Sequence, residues 1–101
     1  SNTAADAVVA EIQALGGDAV ANHDSVASAA GGERIVRTAL DAFGRVDIVI
    51  NNAGILRDAS LVKMSSASFD ALIDVHLKGA FYVTQPAFRV MKENGYGRIV
   101  Y

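Results

Sequence analysis

The chain has 101 residues, enough for one small domain or a part of one. Hydrophobic residues make up 51% of it and charged residues 20%, which is too apolar for a disordered segment and implies surfaces meant to be covered. A net charge of −2 gives no electrostatic ground for nucleic acid or an anionic membrane as partner, and zero cysteines exclude disulfides, thiolate metal sites and cysteine nucleophiles.

No apolar run approaches the length that spans a bilayer, and the opening residues do not read as a signal peptide. The two histidines, His23 and His76, stand apart without metal-ligand spacing.

In chain order, Asn2 or Thr3 can cap a first helix whose apolar positions Ala5, Val8, Val9, Ile12 and Leu15 share a face, with Gly16-Gly17 ending it. Residues 18–22 read as a short strand. The next apolar stripe, Ile35, Val36, Ala39, Leu40 and Phe43, is helical and closes at Gly44, while Gly31-Gly32 interrupts the pattern near its start. Residues 46–50 form a short, nearly unbroken apolar run. It is too short for an amphipathic helix and suits a strand buried on both faces of a parallel sheet.

Ser65, Ser66 or Ser68 can open a long helix running to about Lys92. One stripe on it comprises Phe69, Leu72, Ile73, His76, Leu77, Ala80, Phe81, Phe88 and Met91. The other comprises Val75, Gly79, Val83, Ala87 and Val90. A helix apolar on two sides is covered on two sides. Pro86 should kink it, Asn94-Gly95 should stop it, and a further strand begins at residue 98. Alternating strands and helices predict βαβ units and a parallel sheet, an α/β fold class.

The strand at 46–50 runs directly into Asn51-Asn52-Ala53-Gly54. Open α/β sheets bind ligands outside the carboxyl ends of their strands, which is where these four residues fall. Asparagine can donate and accept hydrogen bonds, and glycine lets backbone approach a ligand closely. On residue chemistry alone, a plain Asn-Gly turn explains the tetrapeptide as well.

The stretch 46–54 resembles the fourth strand and Asn-Asn-Ala-Gly motif of the short-chain dehydrogenase/reductase family. The similarity continues through Ala21-Asn22-His23-Asp24-Ser25-Val26, residues 38–45, Ile55-Leu56-Arg57-Asp58, Val75-His76-Leu77-Lys78-Gly79 and Tyr96-Gly97-Arg98-Ile99-Val100. Within the family the pattern is most similar to the (3R)-hydroxyacyl-CoA dehydrogenases.

The resemblance implies a Rossmann-like sheet in the order 3-2-1-4-5-6, of which residues 1–101 would supply an incomplete central portion of one NAD(P)-binding domain. The third and fourth strands of that order are not neighbours, so an interior piece of a longer protein is expected. It implies NAD as cofactor with NADP as the alternative, and Asp24, Ser25, Asn51, Asn52, Ala53 and Gly54 as residues of the cofactor site. Asp24 or Ser25 capping the following helix is the rival reading. Asp47, at the start of its strand, reads as structural.

His76 occupies the position where many members carry an asparagine that holds a water in a proton relay, so it is the catalytic candidate. A satisfied core histidine in a buried stripe is the equal alternative. The family's glycine-rich pyrophosphate turn does not occur in this sequence. Neither does its Tyr-x-x-x-Lys, since none of Tyr82, Tyr96 and Tyr101 has a lysine four residues on.

The expected activity of the parent protein is hydride transfer between nicotinamide and a secondary alcohol or ketone, with a 3-hydroxyacyl thioester as substrate. The alternatives are an NADP-dependent 3-oxoacyl thioester reductase and a non-catalytic nucleotide-binding or dimerisation module. A homodimer or homotetramer through the helix at 68–92 is expected, with the Val75, Gly79, Val83, Ala87 and Val90 stripe against the partner. The expected compartment is the cytoplasm in a bacterium and the peroxisome in a eukaryote.

Overall fold

A computed structural model describes residues 4–101. Helix α1 spans Ala4–Ala14, α2 Ala29–Phe43 and strand β1 Ile48–Ile50. Helix α3 covers Ser66–Ile73, a π-helical turn Asp74–Lys78, helix α4 Gly79–Asn94 and strand β2 Arg98–Val100. The expected caps of α1, Asn2 and Thr3, lie outside the described residues. Its exit is as expected: Gly16 adopts φ +89°, a left-handed conformation that glycine takes without strain.

β1 and β2 pair in parallel, with Ile48 opposite Arg98, Val49 opposite Ile99 and Ile50 opposite Val100. The ladder gains one bond at each end, from the Arg98 N–H to the Asp47 carbonyl at 2.9 Å and from the Asn51 N–H to the Val100 carbonyl at 2.8 Å. Asp47 is thus structural in its backbone, and its carboxylate pairs with Arg45 Nε at 2.7 Å. Residues 18–22 form no strand. A strand exists only where a neighbour completes its ladder, and among the described residues the sheet has two strands, neither beside this segment.

α2 and α4 pack against each other and against one face of the sheet. Val36, Val46, Val49, Val83, Ala87 and Met91 form the buried core, flanked by half-buried Val26, Ile35, Ala39, Leu40 and Ile99. Ile48, Ile50 and Val100, pointing the other way, are exposed, so the strand expected to be buried on both faces is buried on one.

Two glycines make the helix packing possible. A Cβ at Gly32 would collide with the Tyr82 carbonyl oxygen of α4, and one at Gly31 with the Ser25 carbonyl oxygen. The Gly31-Gly32 pair therefore does not interrupt α2. It lies in the first turn, behind the N-cap Ser28, whose hydroxyl accepts from the Gly31 N–H at 3.0 Å. Ser28, rather than Asp24 or Ser25, caps this helix. Tyr82 is also the residue whose carbonyl would receive the N–H of residue 86, which in Pro86 does not exist. α4 runs unbroken through Pro86.

The long helix at 68–92 divides at residues 74–78, and Ser65 caps its first part through the Ser68 N–H at 3.1 Å. Its two stripes are assigned in the opposite sense to the expected one. Gly79, Val83 and Ala87 are buried against α2 and the sheet, with Met91 beside them, while Leu77, Phe81 and Phe88 are more than half exposed. Gly95, at φ +73°, closes α4 as expected.

Candidate functional site

Two turns meet at the carboxyl end of β1. The first is 51–54. The Asn51 amide donates to Thr84 Oγ1 of α4 at 3.1 Å, tying the strand end to the helix. The Asn52 N–H returns to the Ile50 carbonyl at 3.1 Å, which tightens the turn and leaves the Asn52 side chain, Ala53 and Gly54 exposed. The second turn follows Asp24. Its Val26 packs on Gly79 at the start of α4, where an added Cβ would lie 2.7 Å from Val26 Cγ2. Val26, Asn51, Ala53, His76 and Gly79 thereby line a crevice of about 20 Å³, room for a single water.

Asp24 is held from two sides. Oδ1 accepts from Arg34 Nε at 2.7 Å and Oδ2 from the Asn22 amide at 2.9 Å, and the Asp24 N–H donates to Asn22 Oδ1 at 2.8 Å. The Arg34 hydrogen bond, followed by that of Asn22, keeps the Asp24 carboxyl below the ordinary carboxylate range. The Asn22 amide also reaches Thr38 Oγ1 at 2.9 Å. Arg34 and Thr38 stand one helical turn apart on α2 and so share the face that meets this loop. Ser25 turns inward on its own loop, its hydroxyl accepting from the Ala27 N–H at 3.0 Å.

His76 does not lie in a buried stripe. It is exposed, and its Nε2 sits 2.9 Å from the Ile55 carbonyl oxygen and 3.2 Å from the Ile55 nitrogen. The structure thus brings Asn51, Ala53, Gly54 and His76 together, with Asp24 and Ser25 one loop away on the Val26 side. Among the described residues, no cluster of His, Cys, Asp or Glu can hold a metal, and no helix is long and apolar enough to cross a membrane. A hollow of about 410 Å³ between Phe88, Met91, Tyr96 and Arg98 lies at the opposite end of β2 from these turns.

These groups could hold the adenosine half of a dinucleotide. Each Asp24 oxygen has one partner and one acceptor position left, which matches an exocyclic amine. Small exposed Ala53 and Gly54 allow close approach of a ribose. Among the described residues, nothing comparable is offered to a pyrophosphate, which needs bare amides in a glycine-rich turn.

Comparison with known proteins follows the same lines. The chain is 54% identical over 99 residues to the peroxisomal multifunctional enzyme type 2 of Mus musculus, covering 98% of this chain and 13% of that protein. It is 45% identical over 100 residues to a 3-oxoacyl-[acyl-carrier-protein] reductase of Synechocystis, covering 99% of this chain and 40% of that protein. A crystal structure of a short chain dehydrogenase from Mycobacterium avium superimposes with a TM-score of 0.84 at 41% identity, over 92% of this chain and 35% of that one. The chain therefore spans well under half the length of these relatives, and its fold is the corresponding portion of a doubly wound, Rossmann-like α/β sheet. The family model described as short chain dehydrogenase matches residues 1–101, and the chain belongs to that family.

Proposed function

We propose that the protein containing this chain is an NAD-dependent oxidoreductase acting on a secondary alcohol or its ketone, with a 3-hydroxyacyl-CoA as substrate. The observation that carries the reading is the meeting of the Asp24 and Asn51 turns on Gly79 at the carboxyl end of β1. Asp24, fixed by Arg34 and Asn22, would accept from adenine, and Ser25 would supply backbone beside it. Asn51 is committed to Thr84, so its part is to fix the strand end, while Asn52, Ala53 and Gly54 face the ribose. Bound nicotinamide would take or give the hydride. His76 stands at the family's relay position, but its Nε2 is engaged by Ile55, so only Nδ1 is left to hold a water.

The resemblance of the sequence to the (3R)-hydroxyacyl-CoA dehydrogenases supports the 3-hydroxyacyl thioester, and the relative from Mus musculus, named as peroxisomal, supports that location in a eukaryote. The relative from Synechocystis supports a second reading, an NADP-dependent 3-oxoacyl thioester reductase. Assaying the full-length protein with both cofactors on (3R)-hydroxyacyl-CoA separates them. NAD-linked oxidation is expected. NADP-linked reduction of a 3-oxoacyl thioester would select the second reading. Tight nucleotide binding without hydride transfer would leave a non-catalytic nucleotide-binding or dimerisation module.

A further inference from the structure

We infer that Asn22 is a positioning residue for base selectivity: its amide aims the Asp24 carboxylate, so that the site favours a purine bearing an exocyclic amine. The inference rests on the cofactor reading above, in which Asp24 faces adenine, and gives a task to a residue that does not itself touch the base. The Asn22 side chain is half-buried, and both its amide protons and its oxygen are engaged. Nδ2 donates to Asp24 Oδ2 and to Thr38 Oγ1, each at 2.9 Å, while Oδ1 accepts from the Asp24 N–H at 2.8 Å. Reversing the amide would set its NH2 against the Asp24 N–H and its oxygen against the carboxylate. Only one orientation fits.

These contacts close into a circuit, every member of which lies within this chain. The Thr38 hydroxyl donates its one proton to the Arg34 carbonyl at 2.9 Å, so toward Asn22 it can only accept. Asn22 therefore gives one proton to Thr38 and the other to Asp24. Asp24 Oδ1 in turn accepts from Arg34 Nε at 2.7 Å, which returns to the residue where the sequence of bonds began. Each bond in such a ring orients and polarises the next. Arg34 grips one carboxylate oxygen, whereas Asn22 bonds the Asp24 backbone and carboxylate together, and so fixes the rotation of one against the other. A simple Asx turn would need only the Oδ1 contact, and an aspartate supplies that equally well.

The two roles are separable by experiment. The test uses the full-length protein and measures, by calorimetry, affinity for NAD and for nicotinamide hypoxanthine dinucleotide, which carries a carbonyl where adenine carries its amine. Wild type should prefer NAD, because a carboxylate accepts from the amine and repels the carbonyl. Asn22→Asp keeps the acceptor for the Asp24 N–H but sets a second carboxylate against the first. It should weaken NAD binding about tenfold, the scale of one hydrogen bond to a charged group, and leave the hypoxanthine dinucleotide nearly unaffected. The preference is then lost. Thr38→Val removes the far link of the circuit with little change of shape, and should reduce the preference by a smaller factor. Unchanged NAD affinity in Asn22→Asp, or equal losses for the two dinucleotides, would overturn the inference and leave Asn22 a turn residue. So would a Thr38→Val protein with the wild-type preference. A wild type that binds the two dinucleotides alike, or neither, would instead overturn the placement of adenine at Asp24 in the proposed function.

Discussion

At the scale of single residues, Asp24 shows how an ordinary loop carboxylate becomes a fixed one. Each of its two oxygens accepts one hydrogen bond, from Arg34 and Asn22 respectively, and both contacts favour the ionised form. A carboxyl whose folded pKa is depressed contributes stability above its unfolded pKa, about 3.9, and loses it as pH falls through the lower folded value. Asp24→Asn in the full-length protein should therefore melt earlier than wild type near neutrality, and the gap should close below about pH 4. Melts showing a constant gap across that range would remove the ion pair from the account. Asp24→Ala should also weaken NAD binding about tenfold, measured by calorimetry on a folded variant. Asp24 was singled out in the sequence by the family resemblance and by its place after a segment read as a strand, and that strand does not form. The Asp24 partner Arg34 was not, because ten residues and a helix start intervene, and only the folded loop decides which face of α2 the carboxylate meets.

At the scale of elements, small residues mark close approach without saying what approaches. Gly79 and Ala87 suggested a helix pressed by a partner subunit, yet they are pressed by Val26 and by α2 of the same chain. The periodicity of α4 was readable, and so were its Gly95 stop and the Ser65 cap of α3. The choice of inner face was not, since both stripes are apolar and hydrophobicity alone cannot rank them. The Gly31-Gly32 pair held the missing information. Gly32 lies against the Tyr82 carbonyl, which fixes α2 onto the Tyr82 and Val83 side of α4. Gly32→Ala should destabilise the full-length protein by about 1–3 kcal/mol, the range for an added methyl with backbone in its way. An unchanged denaturant midpoint would show that the two helices can part at no cost. The corrected stripe also moves the expected subunit contact to Leu77, Phe81 and Phe88. These residues, four and seven apart, share one face of the helix and are exposed within this chain. Phe81→Asp should dissociate a dimer seen by light scattering and leave the fold intact, whereas Val83→Asp should unfold the domain by burying an unpaired charge. A Phe81→Asp protein that keeps its wild-type mass would place the contact elsewhere.

At the scale of the whole molecule, the layer on one side of the sheet is built and the other is bare. Val49 meets the helices, while Ile48, Ile50 and Val100 face outward uncovered, and Leu15 on α1 is 88% exposed. The radius of gyration, 15.5 Å, exceeds the value of about 13 Å expected for a compact domain of 100 residues. The expectation of an interrupted sheet came from the family's strand order, in which the segment at 18–22 and β1 would be the third and fourth strands and would not pair. The consequence, a segment at 18–22 with no ladder at all, is a tertiary outcome that local propensity could not show. These 101 residues, expressed by themselves, should therefore bind no NAD and transfer no hydride. Holding nicotinamide against a substrate carbon requires a pyrophosphate turn, and proton transfer requires a tyrosine tuned by a lysine, and the sequence contains neither pattern. With a core of six buried side chains among the described residues and one sheet face open, the isolated stretch should be molten, with strong dye binding and weak near-ultraviolet circular dichroism. A cooperative melt whose midpoint rises with added NAD would show instead that the Asp24 and Asn51 turns, the π turn and α2 make a self-sufficient nucleotide site. The sheet's bare face would then have to be tolerated by water, which the exposed Ile48, Ile50 and Val100 argue against.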